Sequence, residues 1–153
     1  MSDENRPGRE ILQQLWNDAW AGNVWVAPWE QAVGKLTARQ AAWRPAAGRH
    51  SIWQNVNHVV FWREYTLTLL AGRTKPTDEE AEVKNFCEPA GVDDAEWART
   101  VAALRHSHER IGAAIADAAN SLERLQYHLM HDAYHLGQIM LLRAMQGIPT
   151  IAV

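Results

Sequence analysis

Apolar residues recur at helical spacing from the beginning of the chain. The first group predicts a helix that starts near Arg9 or Glu10 and weakens at Gly22, because its apolar positions are three and four residues apart. These apolar positions are Ile11, Leu12, Leu15, Trp16 and Ala19. We expect residues 1–8, which are mostly polar, to form a flexible tail. A second, shorter helical piece is predicted over Pro28–Val33, since proline suits the first turn of a helix.

Capping boxes mark the starts of further helices. In this pattern Ser, Thr or Asp is followed three residues later by Glu or Gln, and it occurs at 37–40, 51–54 and 93–96. The first box predicts a short helical turn, and the second predicts a helix from Ser51 to about Leu70. The third box begins a long helix with a one-sided packing stripe. The stripe consists of Trp97, Val101, Leu104, His108, Ile111 and Ile115.

The order of the helices predicts a four-helix bundle. A turn near Asn120 leads to a last helix from Ser121 to about Met145, so the third and fourth helices should be antiparallel neighbours. Residues 71–93 form a connection that is unusually long for a bundle, in which links of about two to eight residues are common. Such a connection can cross the bundle, which makes the second and third helices parallel and the second and fourth antiparallel. We find no convincing strand pattern, and we predict a single all-α domain over residues 1–153.

Composition and charge exclude several classes of protein. The 153 residues are 47% hydrophobic and 22% charged, which is typical of a globular domain. A net charge of −3 argues against nucleic acid as a partner, and no apolar run reaches the ~18 residues of a membrane span. The polar N-terminus does not resemble a secretory signal. Cys87 is the only cysteine, so no internal disulfide can form and we expect a cytoplasmic protein.

The candidate chemistry lies in the histidines. His131 and His135 are four residues apart, so both imidazoles share one helix face, where they could bind one ion. With seven histidines in the chain, such a pair can also arise by chance. Zinc proteases with a similar pair need a glutamate directly after the first histidine, and this chain has Asp132 there. We therefore reject a metalloprotease.

A third candidate ligand is His58 on the second predicted helix, where apolar residues surround it. The crossover would bring it to a height in the bundle close to that of the pair on the fourth helix. His128 could be a fourth ligand or an acid–base group, although a core position is the simpler interpretation. His106 and His108 face different directions on the third helix, so at least one should face solvent, and His50 should be a loop residue.

At these residues the sequence resembles the DinB-like family of metal-binding four-helix bundles. The matching segments are Leu36-Thr37, Trp43-Arg-Pro45, Gly48-Arg-His-Ser-Ile-Trp53 leading to His58, and His131-Asp-Ala-Tyr-His135-Leu-Gly-Gln-Ile139. The resemblance implies a long crossover, frequent homodimers, and a divalent ion, commonly zinc or nickel. It implies His58, His131 and His135 as the three ligands. Some relatives are S-transferases for low-molecular-weight thiols such as bacillithiol or mycothiol, and many others have no established activity.

Two functions follow as alternatives. In the first, three histidines leave a coordination position open, so the ion could activate a small thiol towards an electrophilic substrate, or water for hydrolysis. Trp62, Tyr65 and His128 would then line the pocket, although ordinary core packing is an alternative for Trp62 and Tyr65. In the second, the ion only stabilises the bundle or is sensed by it. An open fourth position favours an enzyme. Eight tryptophans also suggest an exposed aromatic patch and a homodimer, unless they line the core and pocket.

Overall fold

The computed structural model describes residues 6–22 and 25–151, and the secondary structure in these ranges is helical. The helices are α1 (Arg6–Ala21), α2 (Trp29–Val33), α3 (Ala38–Ala42), α4 (Ile52–Leu70), α5 (Asp78–Lys84), α6 (Asp94–Ala116), α7 (Leu122–Leu125) and α8 (Tyr127–Met145). The four long ones, α1, α4, α6 and α8, form the bundle, which confirms the all-α prediction. In the described ranges, no helix combines the length and the apolar character that a membrane span requires.

Two predicted boundaries differ from the structure. The predicted tail was too long, because α1 begins at Arg6, and residues 1–5 lie outside the described ranges. The predicted fourth helix is divided, since α7 ends at Leu125 and α8 begins at Tyr127. Gln126, between them, keeps helical backbone angles (φ −61°, ψ −30°). The division is therefore a local irregularity in a nearly continuous helical segment.

The capping boxes at Thr37 and Ser51 are complete, with both reciprocal hydrogen bonds formed. Asp93 accepts from the backbone N–H of Glu96, so it caps α6 through its own side chain. Sequence reasoning missed a further box at Thr77, three residues before Glu80, which begins α5 inside the long connection. The crossover therefore contains a short helix of its own.

Contacts along α4 confirm that it runs parallel to α6. Near its start the indole of Trp53 donates to Thr100 Oγ1 at 2.9 Å, and further along Arg63 donates to Ser107 Oγ at 3.1 Å. The residue numbers rise together on the two helices, as parallel packing requires. The connection between α4 and α6 is thus a true crossover, as its length predicted.

Helix α8 is antiparallel to α4, because Asn55 contacts His135 while Thr66, further along α4, contacts His128. Helices α6 and α8 are therefore antiparallel to each other, as predicted, but they are not close neighbours. Helix α6 packs mainly against α4 and α1, and α8 packs mainly against α4, so α4 lies between them. The prediction that they are adjacent was wrong, because a short turn fixes the direction of two helices but not their packing partners.

Most of the tryptophans are buried in the core. The tryptophans that are at most 9% exposed are Trp16, Trp20, Trp29, Trp53 and Trp97. Trp25, by contrast, is 90% exposed. The abundance of tryptophan is therefore explained mainly by core packing, which was the simpler of the two interpretations, and it does not by itself indicate an interface.

Candidate metal centre

Three histidines from two helices meet beside the core. α4 contributes His58, and α8 contributes His131 and His135 from successive turns. One nitrogen from each ring lies within 4.8 Å of those of the other two, and the Nε2 atoms of His58 and His131 are 2.9 Å apart. His58 and His135 are buried and His131 is half-buried. The structure thus brings together all three residues that sequence analysis selected as ligands.

Two asparagines hold the rings of His58 and His135. Nδ1 of His58 lies 2.5 Å from the side-chain oxygen of Asn85, and Nδ1 of His135 lies 2.8 Å from that of Asn55. The amide of Asn55 also donates to the carbonyl of Ser51 at 2.8 Å, which turns its oxygen towards His135. An amide oxygen only accepts, so Nδ1 of each ring donates and Nε2 keeps its lone pair. This arrangement is typical of the residues that orient metal-binding histidines.

The donor set fits a divalent ion. Two nitrogen ligands on one tetrahedral ion lie about 3.3 Å apart, given metal–nitrogen bonds of about 2.05 Å. The Nε2 atoms of His58 and His131, 2.9 Å apart, are close to this value, and a ring nitrogen of His135 lies within 4.8 Å of both rings. Burial lowers the pKa of His58 to about 4 and that of His135 to about 3, and it also lowers the pKa of His131. The rings are therefore neutral at pH 7, which is the form that binds a metal.

The crossover closes one side of the cluster. The ring of Phe86 stacks on the ring of His58, with centroids 3.8 Å apart. The ring of His50 stacks on Phe86 as well, also with centroids 3.8 Å apart. Two side-chain amides of α4 hold the backbone of Phe86 and Cys87. Gln54 donates to the carbonyl of Phe86, and Asn57 donates to the carbonyl of Cys87. Phe86 has φ +53°, which an aromatic residue rarely adopts. The strained position places its ring against the candidate ligands.

A part of the cluster that Phe86 does not cover is open. A cavity of about 330 Å³ reaches His58 and His131, and Trp62 and His128 also line it. Nε2 of His128 lies 2.9 Å from Thr66 Oγ1, and burial lowers the pKa of His128 to about 4. Tyr65 packs against Trp62 with centroids 5.2 Å apart but does not line the cavity.

Behind the cluster lies a buried ion pair that sequence analysis missed. The guanidinium of Arg63 on α4 donates to Asp132 on α8, and both side chains are at most 1% exposed. The indole of Trp29 donates to the same carboxylate oxygen at 3.0 Å. Arg63 also donates to the carbonyl of Leu104 and to Ser107 on α6. A signal was present, because Arg63 lies on the same helix face as the buried Val56 and Val59.

The ion pair also explains the position of Asp132 relative to the cluster. Its carboxylate faces Arg63 and Trp29, so it serves neither as a fourth ligand nor as a base beside the histidines. In the described part of the chain, the cluster contains no cysteine, aspartate or glutamate in addition to the three histidines. A fourth coordination position would thus be available to an exogenous molecule.

The remaining histidines lie outside the cluster. His106 is exposed, whereas His108 is buried and stacks on Trp16 with centroids 4.4 Å apart. Burial lowers the pKa of His108 to about 3, so it is a neutral core residue at pH 7. His50 is an exposed loop residue, as predicted, and its ring packs on the outer face of Phe86.

The comparisons with known proteins identify a family. Neither the curated proteins nor the solved structures include a match to this chain. The sequence pattern of the DinB superfamily matches residues 27–139, which is more than half of the chain. The matched range includes the three clustered histidines, the crossover and the Arg63–Asp132 pair. The all-helical bundle agrees with this assignment, and the chain therefore belongs to the DinB superfamily.

Proposed function

We propose that this protein is a metal-dependent enzyme that transfers a low-molecular-weight thiol to an electrophilic small molecule. The observation that carries the proposal is the asymmetry of the histidine cluster. Phe86 stacks on His58, while a cavity of about 330 Å³ that Phe86 does not line leaves His58 and His131 accessible. A site that only stabilised the bundle would be expected to have a fourth protein ligand or a closed surface.

His58, His131 and His135 would hold the ion, and zinc or nickel suits three neutral imidazoles. When bound, such an ion supplies Lewis acidity, which lowers the pKa of a thiol placed beside it. Trp62 would pack against the apolar part of the substrate. His128 would accept the thiol proton, and this role is supported by its neutral state at pH 7 and its position in the lining of the same cavity. The sulfur–carbon bond forms as the bond from carbon to the leaving group breaks, and the leaving group departs as an anion.

A panel of small thiols with a chromogenic alkylating acceptor tests this function. We expect thiol consumption above the uncatalysed rate for at least one thiol, with loss of activity after chelation and recovery with zinc or nickel. His58→Ala should lower the rate roughly 100-fold or more, since loss of even an orienting partner weakens metal sites 10- to 100-fold. The exposed His106→Ala is the matched control and should keep full activity.

The opposite results are equally informative. If no thiol reacts faster in the presence of the metal-loaded protein, the transferase proposal is wrong. Hydrolysis of activated esters without thiol would instead indicate a hydrolase. Bound metal that raises thermal stability without any turnover would indicate a metal-stabilised or metal-sensing bundle.

We also propose that the protein forms a homodimer through α8. Large apolar residues on this helix are more than half exposed: Tyr127, Met130, Tyr134, Leu141 and Met145. At 100° per residue they fall within about 60° around the helix axis, so they form one continuous stripe. A single helix face of this kind can pair with its own copy across a twofold axis. The support comes from this stripe rather than from the tryptophans.

Sedimentation analysis of a charged variant tests the dimer. Leu141→Glu would bury a carboxylate in the interface, so we expect a shift from dimer to monomer with a loss of about tenfold or more in association. Val83→Glu is the matched control, because Val83 is 71% exposed and lies on α5, away from the stripe. A wild-type protein that sediments as a monomer, or equal behaviour of the two variants, would contradict the proposal.

A further inference from the structure

The cavity beside the histidine cluster has one charged side chain in its lining. Arg124, on α7, lines the cavity together with Trp62, Tyr127 and His128. No aspartate or glutamate belongs to this lining. The carboxylate nearest in sequence to the cluster histidines, Asp132, is buried against Arg63 and does not reach the cavity. The cavity is therefore positively charged in a protein whose net charge is −3.

The guanidinium of Arg124 has no acceptor within residues 6–22 and 25–151. Four other arginines at the surface form ion pairs with glutamates, and none of these four lines the cavity. These pairs are Arg44–Glu88, Arg99–Glu96, Arg105–Glu30 and Arg110–Glu64. Arg124 thus keeps all its N–H donors available to a ligand. A guanidinium with free donors binds a carboxylate through two parallel hydrogen bonds.

The rest of the lining is suited to an apolar group. Trp62 and Tyr127 contribute aromatic surface to the lining, and Tyr127 is 61% exposed. A cavity of about 330 Å³ is at the lower end of the range for small-molecule sites. The fitting ligand is therefore small, with an anionic end and an apolar or aromatic body.

We infer that Arg124 selects a carboxylate-bearing substrate for this site, with the apolar body of the substrate held between Trp62 and Tyr127. This inference rests on the proposed function for the identity of the reacting centre, but the binding preference itself does not require turnover. Arg124 would act as a specificity-determining residue that fixes one end of the substrate. The other end would then face His58 and His131.

A matched pair of fluorinated probes tests the inference. 3-(4-Fluorophenyl)propanoate and its primary amide differ in charge but hardly in shape, and ¹⁹F NMR titration reports their binding without any reaction. We expect wild-type protein to bind the acid about five- to tenfold more tightly than the amide. Arg124→Gln should remove this preference and leave amide binding unchanged, whereas Arg124→Lys should keep part of it. Arg39→Gln, an exposed arginine on α3 outside the cavity, is the control and should behave as wild type.

The titrations are made on both metal-free and zinc-loaded protein, because zinc could bind a carboxylate directly. An acid preference that survives Arg124→Gln, or that appears only with zinc, would overturn the role of Arg124. Equal binding of the acid and the amide to wild-type protein would overturn it as well. If no thiol is turned over but the preference for the acid over the amide depends on Arg124, the proposed reaction is wrong and the carboxylate-binding role of Arg124 is still supported.

Discussion

Asp132→Ala should lower the free energy of unfolding by about 3–5 kcal/mol, the cost of removing one partner from a buried ion pair. Arg63 is 0% exposed, so the variant would leave its guanidinium without a counter-charge and without water. The indole of Trp29 would lose its acceptor at the same time. Small domains are stable by only about 5–15 kcal/mol, so this one change would remove a large part of the total.

Urea unfolding of metal-free protein measures this effect. Chelation is needed because Asp132 is next to His131, and a change in metal affinity would otherwise add to the result. Glu64→Gln is the matched control, because the Glu64–Arg110 pair also joins two helices but is partly exposed. Such exposed pairs contribute about 0–1 kcal/mol, so the control should change stability by no more than that.

A double variant separates two contributions of the Arg63–Asp132 pair to stability, that of its charges and that of the volume its side chains fill. Arg63→Met together with Asp132→Leu removes both charges and keeps an apolar side chain in each place. Buried ion pairs replaced in this way are often as stable as before, so we expect the double variant to recover most of the loss. Equal stability of Asp132→Ala and wild type would show that the two charges are not paired as described.

His135→Ala should strongly weaken zinc binding. Loss of a direct ligand should weaken zinc affinity by roughly 100-fold or more, because loss of an orienting partner alone costs 10- to 100-fold. A 100-fold weaker site also loses up to about 2.7 kcal/mol of zinc-dependent stabilisation at a given zinc concentration. Both effects can be measured on tag-free protein, the first by elemental analysis and the second by thermal unfolding with and without zinc.

Two variants test whether the effect belongs to the cluster. Asn55→Ala keeps all three histidines but removes the acceptor that orients His135, so we expect an intermediate loss of about 10- to 100-fold in affinity. His106→Ala should bind zinc as the wild type does, because His106 is exposed and outside the cluster. Unchanged zinc content in His135→Ala would remove His135 from the ligand set.

Much of the fold was predictable because its signals are local. A capping box acts over three residues, and an apolar stripe repeats with the period of one helix, so both can be recognised without knowing any partner. The complete boxes at Thr37 and Ser51 followed from such signals. The parallel packing of α4 and α6 followed from the length of the connection between them. The same helical period placed His131 and His135 on one face, and the resemblance to relatives joined His58 to them.

Other features depend on contacts between residues far apart in the chain. Asn85 is 27 residues from His58, and Asp132 is 69 residues from Arg63, so no helical period relates either pair. The sequence by itself determined the four long helices, their directions and the shared face of His131 and His135, because these follow from local hydrogen bonding, periodic burial and the lengths of the connections. His58 was joined to the pair only through the resemblance to relatives. Only the tertiary structure decided which side of the cluster Phe86 closes, where Asp132 points and that Arg124 lines the open cavity. These depend on how the crossover and α7 pack against α4 and α8, which is a property of the whole bundle.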